Sequence, residues 1–81
     1  MSKKIETLAK FLIKSIVTKE DEVVVSAIKD DARSTVTVNV KANQEDIPLI
    51  IGKKGSIIRP LRNILKIQGL KHKVNVEINI E

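Results

Sequence analysis

Leu49-Ile50-Ile51-Gly52-Lys53-Lys54-Gly55-Ser56-Ile57-Ile58 is the stretch on which the interpretation of the chain depends. Its two glycines enclose two lysines, between an apolar run and an amphipathic segment. Glycine adopts positive φ without a steric penalty, so Gly52 and Gly55 permit a tight loop that another backbone can approach. A helix that begins at Gly55 or Ser56 presents free N–H groups and its positive dipole end to this loop. Together with the two lysine charges, the stretch predicts a binding site for phosphate groups.

Basic residues continue behind the glycine loop. Residues 47–76 carry seven bases and no acid, whereas residues 20–46 carry seven acids and three bases. The net charge of the whole chain is +5. A basic block that begins at a glycine loop indicates a polyanionic partner, although a solvent-exposed helix face without a ligand would have a similar composition.

The composition limits the classes of protein to consider. We expect the 81 residues to form one domain, 1–81, with a small aliphatic core. The chain has no cysteine and a single histidine, His72, so disulfides and cysteine or histidine metal clusters are excluded and no cofactor is expected. Without a signal peptide or an apolar run of about 20 residues, we expect a cytoplasmic protein with no membrane insertion.

The first 18 residues predict a helix. Apolar residues recur at helical spacing from Lys3 to Thr18, namely at Ile5, Leu8, Ala9, Leu12 and Ile16. A basic amphipathic helix can also bind a membrane surface. We favour packing against the domain, because so small a core needs this apolar face.

Three segments predict β-strands. Val23–Ile28 is rich in β-branched residues, and Ser34–Val40 and Val74–Ile80 alternate apolar and polar residues. The polar residues 29–33 predict a hairpin turn, which would make the first two strands antiparallel.

Two helices are predicted around the glycine loop. Asn43 or Asp46 can cap the first, which would end at Gly52 and direct Ile47, Ile50 and Ile51 to the core. The second is predicted from Ser56 to Ile67. Its apolar face consists of Ile57, Ile58, Leu61, Ile64 and Leu65, and its basic face of Arg59, Arg62 and Lys66.

Behind this second helix, Gly69 is predicted as its stop signal, and residues 70–73 as a basic loop. The order α-β-β-α-α-β therefore predicts an α+β domain, with three helices on one face of a three-stranded sheet.

The sequence resembles a known family at these residues. Ile51-Gly52-Lys53-Lys54-Gly55 followed by Ile58 matches the I-G-x-x-G-x-x-I core of KH domains, and the element order is similar to that of type II KH domains. The length and the amino-terminal helix resemble small stand-alone bacterial KH proteins of the KhpA (YlqC) family. Pro48 and Leu49 depart from the glycine and polar residue that are common there, so the entry helix is expected to be short.

This resemblance implies binding of single-stranded RNA without catalysis, as an RNA chaperone or post-transcriptional regulator. The G-x-x-G loop of KH domains clamps the backbone of four nucleotides. The resemblance implies self-pairing or pairing with a larger KH-containing protein of the KhpB (Jag) kind. The RNA-binding residues expected here are Ile51, Gly52, Lys53, Lys54, Gly55, Ser56, Ile58, Arg59, Arg62, Lys71 and Lys73.

Other functions remain open at this point. The second helix of a helix-turn-helix would read duplex DNA, but here it begins with the apolar pair Ile57-Ile58. Leu49, Leu70 or an edge strand could instead serve an oligomerisation module. An enzyme is disfavoured, because residues 52–56 lack the G-x-x-x-x-G-K-[ST] order of a nucleotide-triphosphate loop.

Overall fold

The structure is a computed structural model that describes residues 2–81. The chain forms helix α1 (Ser2–Lys14), strands β1 (Val24–Asp30) and β2 (Thr35–Lys41), helices α2 (Ile47–Ile51) and α3 (Ile58–Lys71), and strand β3 (Asn75–Ile80). Short 3-10 turns at Glu20–Glu22 and Lys53–Gly55 precede β1 and α3. The predicted α+β class and element order are confirmed.

The sheet has the strand order β1-β2-β3, with β2 in the middle. Strand β1 pairs antiparallel with β2, and β3 pairs parallel with β2, so that Val38 lies beside both Ala27 and Ile78. Helix α1 packs mainly on β1, and α3 packs on β3. The three helices therefore cover one face of the sheet, as the sequence predicts.

The core lies between the sheet and the helices. The predicted alternation of β2 is confirmed from Val36 to Val40, because Val36, Val38 and Val40 are fully buried whereas Thr37 and Asn39 are half-buried. Thr35, at the start of the strand, is buried as well. Burial of one such side chain stabilises the fold by about 1.5–3 kcal/mol. The other apolar side chains with no exposed surface are Ile5, Ala9, Ile13, Ile50 and Leu65.

Helix α1 ends earlier than the predicted Thr18. Its last helical residue is Lys14, because the chain must turn there to bring Thr18 beside Asp46. The predicted apolar face also missed Ile13 and Val17, which are buried, while Leu8, Leu12 and Ile16 are only partly buried.

Asp46 occupies the N-cap position of α2, as one of the two predicted candidates, but its side chain makes no capping bond to the helix. Asp46 is 1% exposed and accepts hydrogen bonds from the Thr18 hydroxyl at 2.7 Å and from the amides of Thr18 and Lys19 at 3.1 and 3.0 Å. Burial raises the pKa of the Asp46 carboxyl, but these hydrogen bonds and the charge of Lys19 outweigh burial and lower the pKa below its usual value. Asp46 therefore ties the turn after α1 to the start of α2.

Helix α3 is shifted from its predicted range. It begins two residues later than predicted, at Ile58, and continues to Lys71, so Gly69 lies inside the helix and Leu70 and Lys71 are helical. A β-carbon at Gly69 would lie 2.7 Å from Val76 Cγ2 and 2.8 Å from the Val74 carbonyl oxygen. Gly69 is therefore required for close helix–strand packing, and the prediction that it stops the helix is wrong.

The predicted core faces of α2 and α3 are partly wrong. Ile51, Ile57 and Ile64 are 39%, 38% and 44% exposed. The residues of α3 that face the sheet are Ile58, Leu61, Leu65 and Gly69. Ile57 and Ile64 therefore lie on the side of the helix, away from the sheet. Among the helices of residues 2–81, none combines the length and apolar character that crossing a membrane requires.

Candidate nucleic-acid interface

The glycine loop has a conformation that depends on its residue types. Gly52 has φ 76° and ψ 168°, a region that is essentially restricted to glycine, and Gly55 has φ 79°. Lys54 is left-handed as well, with φ 57° and ψ 29°. Successive positive φ angles reverse the chain within a few residues, so the loop connects α2 to α3 as a tight projection.

Hydrogen bonds fix the base of this projection. The Gly52 amide donates to the Pro48 carbonyl at 2.8 Å, and the Ile57 amide donates to the Ile51 carbonyl at 3.1 Å. Across the described chain, neither the Lys53 amide nor the Lys54 amide donates to a protein acceptor. Two N–H groups at the tip of the loop are therefore available to a bound anion, next to the first turn of α3, whose amides also lack intrahelical acceptors.

Positive side chains surround these amides. Lys53 and Lys54 are exposed, and neither takes part in the ion pairs that form among residues 2–81. The Arg59 side chain lies along the loop, because its Nε would be 3.2 Å from a β-carbon built at Gly55. Unpaired lysines beside a helix start provide both charge and hydrogen-bond donors for a phosphate.

Apolar residues border the loop. Ile58 is 8% exposed and lies under Gly55, whereas Ile51 remains 39% exposed beside the loop. Ser56 is exposed and follows the loop directly. The predicted residues from Ile51 to Arg59 thus form one contiguous surface with an exposed apolar edge, an amide tip and three cations.

The remaining predicted residues lie along or beyond α3. Arg62 is half-buried one turn after Ile58, but Lys71 is the last residue of the helix and Lys73 follows it. With a rise of about 1.5 Å per residue, Lys71 is about 20 Å from the start of α3. Lys71 and Lys73 therefore lie outside the surface around the glycine loop. Only an extended nucleic-acid strand that runs along α3 would contact both the loop and these two lysines.

Sequence reasoning missed two residues near this distal end. A groove of about 390 Å³ between α3 and β3 is lined by Lys66, Leu70, Arg33 and Glu77, among others. Arg33 in the hairpin turn donates to the Glu77 carboxylate at 3.2 Å. The alternation of β3 indicates that Glu77 faces away from the core, but its pairing with Arg33 follows only from the register of β2 and β3.

Comparison with known proteins relates the chain to KH-domain proteins. The family profile described as KhpA/KhpB, KH domain matches residues 6–80. RNA-binding protein KhpA of Borreliella burgdorferi is 36% identical over 73 residues, which cover 90% of this chain and 87% of that protein. RNA-binding protein KhpA of Clostridium acetobutylicum is 31% identical over 80 residues, which cover 99% of each chain.

A solved structure resembles the chain in fold alone. The crystal structure of Aquifex aeolicus Era aligns with a TM-score of 0.54 and 17% sequence identity. The alignment covers 98% of this chain and 28% of the Era chain, so the whole domain corresponds to one part of a larger protein.

Proposed function

Because this chain belongs to the KhpA/KhpB family of KH domains, we propose that it binds single-stranded RNA and clamps the RNA backbone at Gly52, Lys53, Lys54 and Gly55. The observation that carries the proposal is the pair of unpaired amides at Lys53 and Lys54, which lie between two glycines and beside a helix start. An RNA phosphate at this position accepts bonds from the amides and gains the charges of both lysines.

The surroundings of the loop support a backbone contact rather than a catalytic one. The exposed residues next to the amides are lysine, serine and isoleucine, and the block from residue 47 to 76 has no carboxylate that would repel phosphate. Arg59 and Arg62 continue the positive surface along α3. We propose binding without chemistry, in the role of an RNA chaperone or post-transcriptional regulator in the cytoplasm.

We also propose a protein partner, either a second copy of the chain or a larger KH-containing protein of the KhpB kind. Leu49 and Leu70 are 44% and 73% exposed, and both lie outside the core. An apolar surface on the partner would remove both side chains from water.

The test of RNA binding compares the affinity of the protein for single-stranded RNA with its affinity for duplex DNA. Fluorescence anisotropy with labelled single-stranded RNA and with duplex DNA of the same length measures both affinities in one buffer. We expect the RNA to bind at least tenfold more tightly. Equal affinities would reduce the interaction to general charge attraction, and preference for the duplex would favour a helix-turn-helix mode.

A further inference from the structure

The outer surface of the helices carries charge of almost one sign. Helices α1 and α3 together contain eight lysines and arginines and one carboxylate, Glu6. Glu6 accepts a hydrogen bond from the Ala27 amide of β1 at 3.3 Å, which places its carboxylate toward the sheet edge. The space between α1 and α3 on the outer surface therefore favours anions well beyond the glycine loop.

Phe11 lies in this space. It is the single aromatic residue of the chain, and it is 68% exposed. An open groove of about 550 Å³ between α1 and α3 is lined by Lys3, Lys4, Thr7, Leu8, Phe11 and Gln68. Proteins that bind single-stranded nucleic acids commonly stack bases on an exposed aromatic ring within a positively charged groove. Phe11 with Lys3 and Lys4 has this combination.

A second groove lies between α1 and the residues that follow the glycine loop. It has a volume of about 260 Å³ and is lined by Leu12 and Ser15 of α1 and by Ser56, Ile57, Pro60 and Ile64. Ser56 and Ile57 directly follow the loop, and the Ser15 hydroxyl donates to the Phe11 carbonyl at 2.8 Å. Phe11 lines the first groove and the next residue, Leu12, lines the second, and we call the two neighbouring grooves together the α1–α3 furrow.

We propose that the α1–α3 furrow is a second contact site for single-stranded RNA, where Phe11 stacks on a base outside the clamp. Lys3 and Lys4 bind the neighbouring phosphates. The Gln68 amide nitrogen lies 3.4 Å from His72 Nε2, and the Gln68 carbonyl oxygen accepts a hydrogen bond from the base edge. The proposal rests on the proposed function, because the clamp delivers the RNA to the furrow. It assigns a role to the exposed aromatic ring and to the lysines of α1, which the clamp does not use.

The experiment uses RNAs of four and twelve nucleotides from one unstructured sequence. Phe11→Leu keeps the apolar surface and removes the aromatic ring, so we expect at least fivefold weaker binding of the twelve-nucleotide RNA and unchanged binding of the four-nucleotide RNA. Phe11→Trp restores stacking and introduces the single indole of the chain. Its fluorescence should be quenched by the twelve-nucleotide RNA and far less by the shorter one.

Controls separate the possible outcomes. Ile28→Ala removes a side chain of similar exposure, 61%, from the sheet face opposite the helices, and should change neither affinity. If Phe11→Leu binds the longer RNA as tightly as the parent, the furrow proposal is wrong while the clamp stands. If the parent binds neither RNA, the proposed function itself fails. A lower sedimenting mass of Phe11→Leu with unchanged RNA affinity would assign the furrow to a protein partner and overturn the proposal.

Discussion

Gly52 packs directly against Ile57 across the glycine loop: a β-carbon added at Gly52 would lie 2.5 Å from Ile57 Cγ1 and 2.7 Å from the Ile57 nitrogen. The corresponding atom at Gly55 would first meet the flexible Arg59 side chain, at 3.2 Å. The two glycines of the motif therefore differ in their tolerance to substitution, although the sequence presents them as equivalent.

Gly52→Ala should destabilise the domain more than Gly55→Ala. Both substitutions force a side chain into a positive φ, which costs about 1–2 kcal/mol, but only the first adds a clash with backbone. Thermal unfolding followed by circular dichroism measures the difference. Equal melting temperatures for the two variants would show that the loop can open around Gly52 without cost.

Reversal of the loop charges should separate binding from folding. Lys53→Asp combined with Lys54→Asp replaces two attractions by two repulsions at exposed positions, so the melting temperature should change little. Affinity for a four-nucleotide RNA should fall at least tenfold, about 1.4 kcal/mol. The matched control, Lys3→Asp with Lys4→Asp, changes the net charge equally but lies outside the clamp, and it should leave the affinity for this short RNA intact.

Salt should weaken RNA binding in a defined way. If three phosphates are neutralised at the clamp and the start of α3, the log–log dependence of affinity on salt should have a slope of about −2, from about −0.7 per phosphate of single strands. Titrations at several salt concentrations with the four-nucleotide RNA give this slope. A slope near zero would contradict an electrostatic clamp.

Stability should depend on the ionisation of Asp46. Its folded-state pKa is lowered, so its contribution is complete above the unfolded pKa of about 4 and is lost as the pH falls through the folded value. Asp46→Asn removes the charge and cannot accept all three hydrogen bonds, so its melting temperature at pH 7 should be below that of the parent. The gap should narrow at pH 3, where the parent has lost part of the same contribution; a gap independent of pH would contradict this role.

The exposed Leu49 should contribute to self-association. Leu49→Lys adds a charge to a side chain that is 44% exposed, so the fold should persist while the fraction of the proposed homodimer in analytical ultracentrifugation decreases. Ile28→Lys, at 61% exposure on the other face of the sheet, is the control. An unchanged sedimentation profile for Leu49→Lys would exclude this surface from the interface.

Strict alternation and the glycine motif made most of the fold predictable. The period of two in Ser34–Val40 and Val74–Ile80 is unambiguous, and Val36, Val38 and Val76 are buried as expected. The order of the elements between these two strands was predictable as well, because apolar residues recur there at helical spacing. The loop geometry followed as well, since both glycines have positive φ.

Tertiary contacts decide what the sequence left undetermined. Nothing local distinguishes a glycine that ends a helix from Gly69, which lies inside α3 and packs closely against the Val74 carbonyl and the Val76 side chain. The aspartate at position 46 resembles a cap in sequence, but its partners Thr18 and Lys19 lie more than 25 residues earlier. In the candidate site, the distance between the glycine loop and Lys71 could not be predicted, because α3 was expected to end at Ile67 and to leave Lys71 in a loop.

The middle position of β2 also has a consequence for how the domain folds. Its pairing with β1 closes a short hairpin, since Asp30 lies beside Thr35, whereas its pairing with β3 brings Thr35 beside Asn75, forty residues later. Closing the longer loop costs more chain entropy. Folding is slower as a result, because the chain loses this entropy before the contacts between β2 and β3 stabilise it. Since α2, the glycine loop and α3 all lie within this long connection, we expect the glycine loop to become rigid in the late, rate-limiting step rather than with the early hairpin.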